Sequence, residues 1–162
     1  MKTIPLSQGK VALVDDEDYQ RVSAFKWSAA LRDHKWYACR NLGRQHKQQL
    51  IYLHRFIVDA PTGCEVDHED GNGLNCMRLN LRKCTPVQNR CNTGLSVRNK
   101  SGFKGVHWRR DIQKWAAQIK THGYKISLGV YDSAEAAARV RDVAARKYHG
   151  EFAWLNFPQE GA

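Results

Sequence analysis

The sequence predicts an α+β protein built from two small modules. The first is a two-stranded hairpin running into a helix, with flanking strands. The second is a three-stranded antiparallel sheet packed on one α-helix. Three observations predict this: a polar Gly/Ser/Asn-rich stretch at 92–102, three consecutive β-like runs after it, and an alanine-rich run at helical spacing after those. A length of 162 residues accommodates two modest cores and excludes a barrel-sized enzyme.

Taking the elements in order, Lys10 to Val14 and Trp36 to Arg40 are short strands, and Leu50 to Val58 is an apolar run whose type the period leaves open. Trp27 and Trp36 belong to the first core. Val66 to His68 and Asn80 to Cys84 form two strands around a Gly/Asn loop. Thr85 as N-cap, Pro86 at the first helical position and Gln88 three residues after the cap start a helix, with Asn89 in its opening turns. Boundaries follow: a first module over 1–95, a linker over 96–101 and a second module over 102–158. In the second, Phe103 to Arg109, Lys114 to Lys120 and Tyr124 to Val130 make a meander with short polar connections. Asp132-Ser133-Ala134-Glu135 resembles a capping box, and Ala136, Ala137, Val140, Val143, Ala144 and Tyr148 mark a helix that stops at Gly150.

Twenty-six Lys and Arg against 16 Asp and Glu give a net charge of +10, which favours a polyanionic partner. The excess is local: residues 99–125 carry 7 basic side chains and 1 acidic one, whereas 126–162 carry 4 and 5. No apolar run approaches the roughly 18 residues of a membrane helix, and the N-terminus has no signal-peptide core. The expectation is an intracellular protein, not secreted, with no membrane partner. Five cysteines without a CxxC pair are read as reduced thiols. Four fall between residues 64 and 91, but their intervals of 11, 7 and 6 residues match no zinc template, so structural Zn²⁺ is not expected.

The densest group of reactive side chains is Asp67-His68-Glu69-Asp70-Gly71-Asn72-Gly73, followed by Asn80-Leu81-Arg82 and Asn89. A carboxylate at Asp67 and an amide oxygen at Asn89 suit a hard divalent cation. His68 points to the other side of the strand from Asp67 and can deprotonate a water, while Asn80 can accept its imidazole N–H and fix the tautomer. The order Asp-His, eleven residues, Asn, eight residues, Asn, with Leu53-His54-Arg55 ahead, resembles the HNH homing endonucleases, in the phage and intron subgroup whose last histidine is asparagine. The match spans about residues 53–92. It implies a ββα-metal finger, with Asp67 and Asn89 as metal ligands, His68 as general base and Asn80 as its orienting residue. The implied cofactor is one divalent cation, Mg²⁺ first and Mn²⁺ second. His54 and Arg55 are expected to be structural, and Asn72 to stabilise its turn.

In the second module Lys114, Ala116, Gln118 and Lys120 alternate with Trp115, Ala117 and Ile119, giving one cationic and one apolar face. Such a sheet can enter a major groove. Phe103-Lys104-Gly105-Val106, Lys114-Trp115-Ala116-Ala117-Gln118-Ile119, Leu128-Gly129, Asp142-Val143-Ala144-Ala145 and Leu155-Asn156-Phe157-Pro158 resemble the plant APETALA2 DNA-binding domain over 101–158. The resemblance implies DNA contacts from Lys104, His107, Arg109, Gln118, Lys120, Lys125 and Ser127. Gln118 stands where the family has glutamate, and Asp111 and Ser127 where it has tryptophans, so the plant sequence preference does not carry over. Strand parity puts Lys104 opposite His107 and Arg109 unless Gly105 sits at a bulge. The expected protein is a metal-dependent DNA endonuclease, homing-type as in phages and mobile elements, acting on double-stranded DNA by nicking or double-strand cutting, as monomer or dimer. The alternative is a non-catalytic, sequence-specific DNA-binding protein or regulator.

Overall fold

The computed structural model describes residues 1–43 and 50–159. The fold is mixed α/β, with four small antiparallel sheets and four α-helices among the described residues. Its contacts divide the chain into two compact units, Met1–Pro86 and Val87–Ala162. That division falls ahead of the Gly/Ser/Asn-rich stretch.

In the first unit β1 (Lys2–Pro5) pairs with β2 (Val11–Val14), and α1 (Asp16–Ser23) follows at once. Next come β3 (Ser28–Arg32), β4 (Lys35–Asn41) and β5 (Leu50–Tyr52), joined in the order β3-β4-β5. The apolar run from Leu50 resolves into β5 and then α2 (Leu53–Ile57). Its apolar residues serve two elements, which is why no single period fits. The hairpin of β6 (Glu65–His68) and β7 (Leu81–Cys84) closes the unit. One core unites these pieces: Ile4, Ala12, Val14, Val22, Trp27, Ala38, Leu53, Ile57, Val66, Cys76 and Leu81 pack together.

Arginine anchors, one set of them on a buried carboxylate, fix the elements around that core. Asp18, 3% exposed, receives Arg78 through Nε (2.7 Å) and Nη2 (2.8 Å) and Arg21 through Nη2 (3.2 Å). Both arginines also donate to the Ile57 carbonyl, so α1, α2 and the approach to β7 share one charge cluster. Arg55 donates to the carbonyls of Cys64, Ala60 and Pro61, holding the connection from α2 into β6.

The second unit starts with α3 (Pro86–Cys91, from Val87 onward), which follows the β6–β7 hairpin directly in chain order. The stretch beyond it is an ordered turn: Asn99 Oδ1 accepts the Gly102 N–H (2.7 Å), and Ser101 Oγ donates to the carbonyls of Phe103 (2.9 Å) and Val106 (2.8 Å). Then β8 (Val106–Arg109), β9 (Lys114–Thr121) and β10 (Tyr124–Tyr131) form the meander in the order β10-β9-β8. Strand β8 begins at Val106, three residues later than its apolar run suggests. Gly105 breaks the strand at φ +79°, where a Cβ would lie 2.5 Å from the Gln118 carbonyl oxygen. Helix α4 (Ala134–His149) covers the apolar face, with Ser133 Oγ accepting the Ala136 N–H (3.1 Å) as its cap. Ala134, Ala137 and Ala138 pack with Val106 and Ala117, and Ala144 and Ala145 with Ile119. Asp142, almost fully buried, accepts the N–H groups of Asn156 (2.7 Å) and Phe157 (2.8 Å) and anchors the chain end.

Candidate functional site

Strand β6 presents its two reactive side chains to opposite sides, as the period of two requires. Asp67 pairs in register with Arg82 and His68 with Leu81. Arg82 Nη2 stands 2.5 Å from Asp67 Oδ2, and its other nitrogen lies 3.6 Å from Glu69 Oε1. Asp67 is 4% exposed, so this guanidinium compensates a carboxylate withdrawn from water.

His68, 6% exposed, enters a ring cluster that the sequence reading did not foresee. The His54 ring from α2 meets it edge-on, with centroids 4.8 Å apart at 77°. Tyr52 stacks on His54 at 5.4 Å, and Tyr37 from β4 stands 5.9 Å from both imidazoles. Burial lowers the His68 pKa to about 4; Asp70 and Asp67 oppose that shift and Lys35 adds to it. Burial, then the His68 and Arg55 charges, takes His54 down to about 3. Both imidazoles are therefore neutral at pH 7, the form that accepts a proton. Burial chiefly, and then Asp33, Tyr52 and Asp67, raise the Tyr37 pKa.

Asn80 sits just before β7, and its side chain works on the loop after His68. Its Oδ1 accepts the Asp70 N–H (3.0 Å), while Nδ2 donates to Asp70 Oδ1 (3.0 Å) and to the Asn75 carbonyl (2.8 Å). Its carbonyl takes the Glu69 N–H (2.9 Å). Asn80 thus fixes the two residues that follow His68, instead of making the direct imidazole contact expected from sequence. Asn72 shapes the same loop, with Oδ1 accepting the Leu74 N–H (3.1 Å). Although burial pushes the Asp70 carboxyl up, hydrogen bonds from Asn75, Asn72 and Asn80 bring it below its ordinary range. The loop lies hard against β4: a Cβ on Gly73 would sit 2.4 Å from the Trp36 carbonyl oxygen and 2.6 Å from the Tyr37 ring. Leu13 exchanges hydrogen bonds with it through the Leu74 carbonyl and the Cys76 N–H, both 2.9 Å.

Asn89 lies on α3, part-buried and counted with the second unit. Among the described residues no three His, Cys, Asp or Glu side chains gather as a metal-binding group. The cysteines are free thiols; burial raises Cys76 to about 12 and Cys84 to about 11. No helix among the described residues is long and apolar enough to cross a membrane.

The outward sheet face of the second unit is open and cationic. The register places His107 opposite Ala116, Arg109 opposite Lys114, Lys125 opposite Lys120 and Ser127 opposite Gln118, on the side away from α4. His107, Arg109, Lys120, Lys125 and Ser127 are exposed and Gln118 is half-buried. A bulge at Leu128 restores the apolar face after Ser127, so Leu128 and Tyr131 turn to the core. Two cations are braced: Arg109 Nε donates to Asp111 Oδ1 (2.8 Å), and Lys114 Nζ stands 2.9 Å from Asp132. Lys104 is not on this face. It precedes β8, and its ammonium donates to the Cys91 (2.8 Å) and Thr93 carbonyls.

The chain is similar to several known proteins. Protein 3.8 of Escherichia phage T7 is 33% identical over 93 residues, which is 57% of this chain and 76% of the phage protein. An uncharacterised HNH endonuclease, L560, of Acanthamoeba polyphaga mimivirus is 29% identical over 149 residues, 92% of this chain and 76% of that protein. Dehydration-responsive element-binding protein 1G of rice (Oryza sativa subsp. indica) is 32% identical over 100 residues, 60% of this chain and 43% of the plant protein. No family model matches the chain. With a buried Asp-His pair in one unit and a cationic three-stranded sheet in the other, the chain belongs to the family of phage T7 protein 3.8 and is a homologue of HNH endonucleases and, over part of its length, of AP2/ERF DNA-binding domains.

Proposed function

We propose that the chain is a DNA endonuclease in which the first unit carries the hydrolytic chemistry and the second holds double-stranded DNA. The observation that carries this reading is the buried pair Asp67 and His68, with a neutral imidazole on one side of β6 and a carboxylate on the other. Homology to an HNH endonuclease over 92% of the chain supports it.

His68 takes a proton from the attacking water. The rings of His54 and Tyr37 limit its rotation, and burial leaves the imidazole unprotonated before the water arrives. Asn80 positions it by holding Glu69 and Asp70 in place. In the first unit Asp67 would contribute a ligand to one divalent cation, Mg²⁺ or Mn²⁺, and a carboxylate oxygen is a donor that a hard cation takes. A bound cation supplies polarisation of the scissile phosphate and stabilisation of the leaving oxygen. Arg82 balances the Asp67 charge and fixes the carboxylate in the hairpin.

On the sheet, His107, Arg109, Gln118, Lys120, Lys125 and Ser127 form the DNA-contacting set, with Gln118 suited to an adenine edge and the lysines to phosphates. A homing role, acting at one chosen site in a host genome, fits the joining of a nuclease to a recognition sheet. Supercoiled plasmid incubated with the protein and Mg²⁺ tests the proposal: nicked or linear product is expected, lost with EDTA and lost in Asp67→Asn. Cleavage that persists in EDTA would contradict the metal-dependent mechanism, and no cleavage under any divalent cation would leave a DNA-binding protein.

A further inference from the structure

The register between β8 and β9 ends at Val106 opposite Ala117, so β9 from Gln118 to Thr121 has no β8 partner. The Gln118 N–H goes instead to the Gly105 carbonyl (2.8 Å). Along this edge lies a cavity of about 660 Å³, within the second unit, lined by α3, the Lys104-Gly105 step, the end of β9 and the C-terminal half of α4. That volume lies in the range of small-molecule and cofactor pockets.

The charge of the cavity is one-sided. Arg90, Lys104, Lys120, Lys125 and Arg141 line it, and no Asp or Glu is among its described lining residues. Two of these cations lie deep. Arg141 is 2% exposed and is partly balanced by Asp142 at 3.1 Å. Lys104 is held among carbonyls at the end of α3, and burial, with the Arg141 charge beside it, brings its pKa down to about 8. Such a cluster repels itself, and an anion in its midst relieves the repulsion. The other cations reach the rim: Lys120 and Lys125 face each other across β9 and β10, on the outward face and at the cavity alike.

We propose that this cavity is a phosphate-binding groove that takes the sugar-phosphate backbone of a nucleic-acid strand leaving the outward face of the sheet. The assignment rests on the DNA-binding reading above and adds a second surface to it. Continuity through Lys120 and Lys125 favours a polymer over a free small anion, because the cations of the face and those of the groove then lie along one path. It also gives Lys104 and Arg90 a role that the sheet face does not provide.

The test is the salt dependence of duplex affinity for the full chain, comparing wild type with Arg90→Gln and Lys104→Gln, each checked for folding by circular dichroism. Each phosphate contact contributes a slope of about −0.9 in log K against log[salt]. Arg90→Gln is expected to weaken every duplex sequence several-fold and reduce the slope by about one, with Lys104→Gln acting in the same direction. Arg90 is exposed, so that variant keeps the proposal open to test if Lys104→Gln fails to fold. Unchanged affinity and slope in folded Arg90→Gln would overturn the groove and leave the sheet face standing. In a second arm, inorganic phosphate and deoxyadenosine monophosphate are titrated into the wild type. Saturation by either at micromolar concentration, with duplex affinity unaffected by Arg90→Gln, would overturn the polymer assignment in favour of a small phosphate ligand. A wild-type chain that binds no duplex would overturn the DNA-binding reading itself.

Discussion

The two units handle their polar side chains in opposite ways. In the first, Asp67 and His68 are withdrawn from water, one against Arg82 and the other among aromatic rings. In the second, His107, Arg109, Lys120 and Lys125 stand in solvent on a sheet whose other face is packed on alanines. On the function proposed above, proton transfer needs one imidazole held in one form and orientation, which burial provides. Gripping a polyanion needs several cations free to follow phosphates, which exposure provides. Substitutions should therefore act on stability and chemistry in the first unit and on affinity in the second.

The largest stability effect is expected from Arg82→Met. It strands the buried Asp67 carboxylate, and breaking one side of a buried pair costs about 3–5 kcal/mol. Chemical denaturation should show this loss; a change below about 1 kcal/mol would mean that Asp67 is solvated after all. Gly73→Ala comes next. Its Cβ would overlap the Trp36 carbonyl and the Tyr37 ring, so overpacking of about 1–3 kcal/mol is expected, with cleavage reduced because that loop leads from His68. A fully stable variant would show that the loop can shift away from β4.

Acid should distinguish the units as well. His54 has a folded pKa of about 3 against an ordinary 6.5, so below pH 6.5 the unfolded chain binds more protons than the folded one. The stability that this group supports is complete above about pH 7.5 and declines as pH falls from 6.5 towards 3. His54→Phe, which keeps a ring against Tyr52, should flatten the decline between pH 5 and 7 in thermal unfolding. An identical pH dependence in the variant would place the titrating group elsewhere.

The smallest effects belong to the sheet. Lys125→Ala should weaken all duplex sequences alike and lower the salt slope by about one. Gln118→Ala should relax preference at one base pair by about 1–3 kcal/mol and leave the slope alone. Binding-site selection on both variants separates the two roles; the same preferred sequence for Gln118→Ala and wild type would make the sheet an electrostatic anchor only.

Much of the second unit was legible in sequence, because its strands alternate with a period of two and its helix carries alanine at helical spacing. The first unit was less so. α1 begins Asp16-Glu17-Asp18, and its buried residues are Asp18 and Val22, so no apolar stripe announces it. β1 and β3 are only four and five residues long, too short for an alternating pattern to stand out, although each pairs with the next strand in sequence. The ring cluster draws Tyr37, Tyr52, His54 and His68 from four elements, a coincidence that only tertiary structure creates. Spacing singled out Asn80 but could not tell which neighbour its amide would meet, since the answer depends on the path of the loop from Asp70 to Asn75. Strand parity already set Lys104 apart from His107 and Arg109, and the structure adds the local cause: Gly105 at positive φ delays β8 to Val106 and leaves the lysine off the face.

The central claim is that His68 performs chemistry and contributes little to holding DNA. Its direct test measures cleavage rate and duplex affinity on the same preparation of His68→Ala and wild type. The account predicts a fall in cleavage of about 10²-fold or more, as for loss of a general base, with affinity changed by no more than a few-fold. Cleavage and affinity falling together, or cleavage surviving at the wild-type rate, would contradict it.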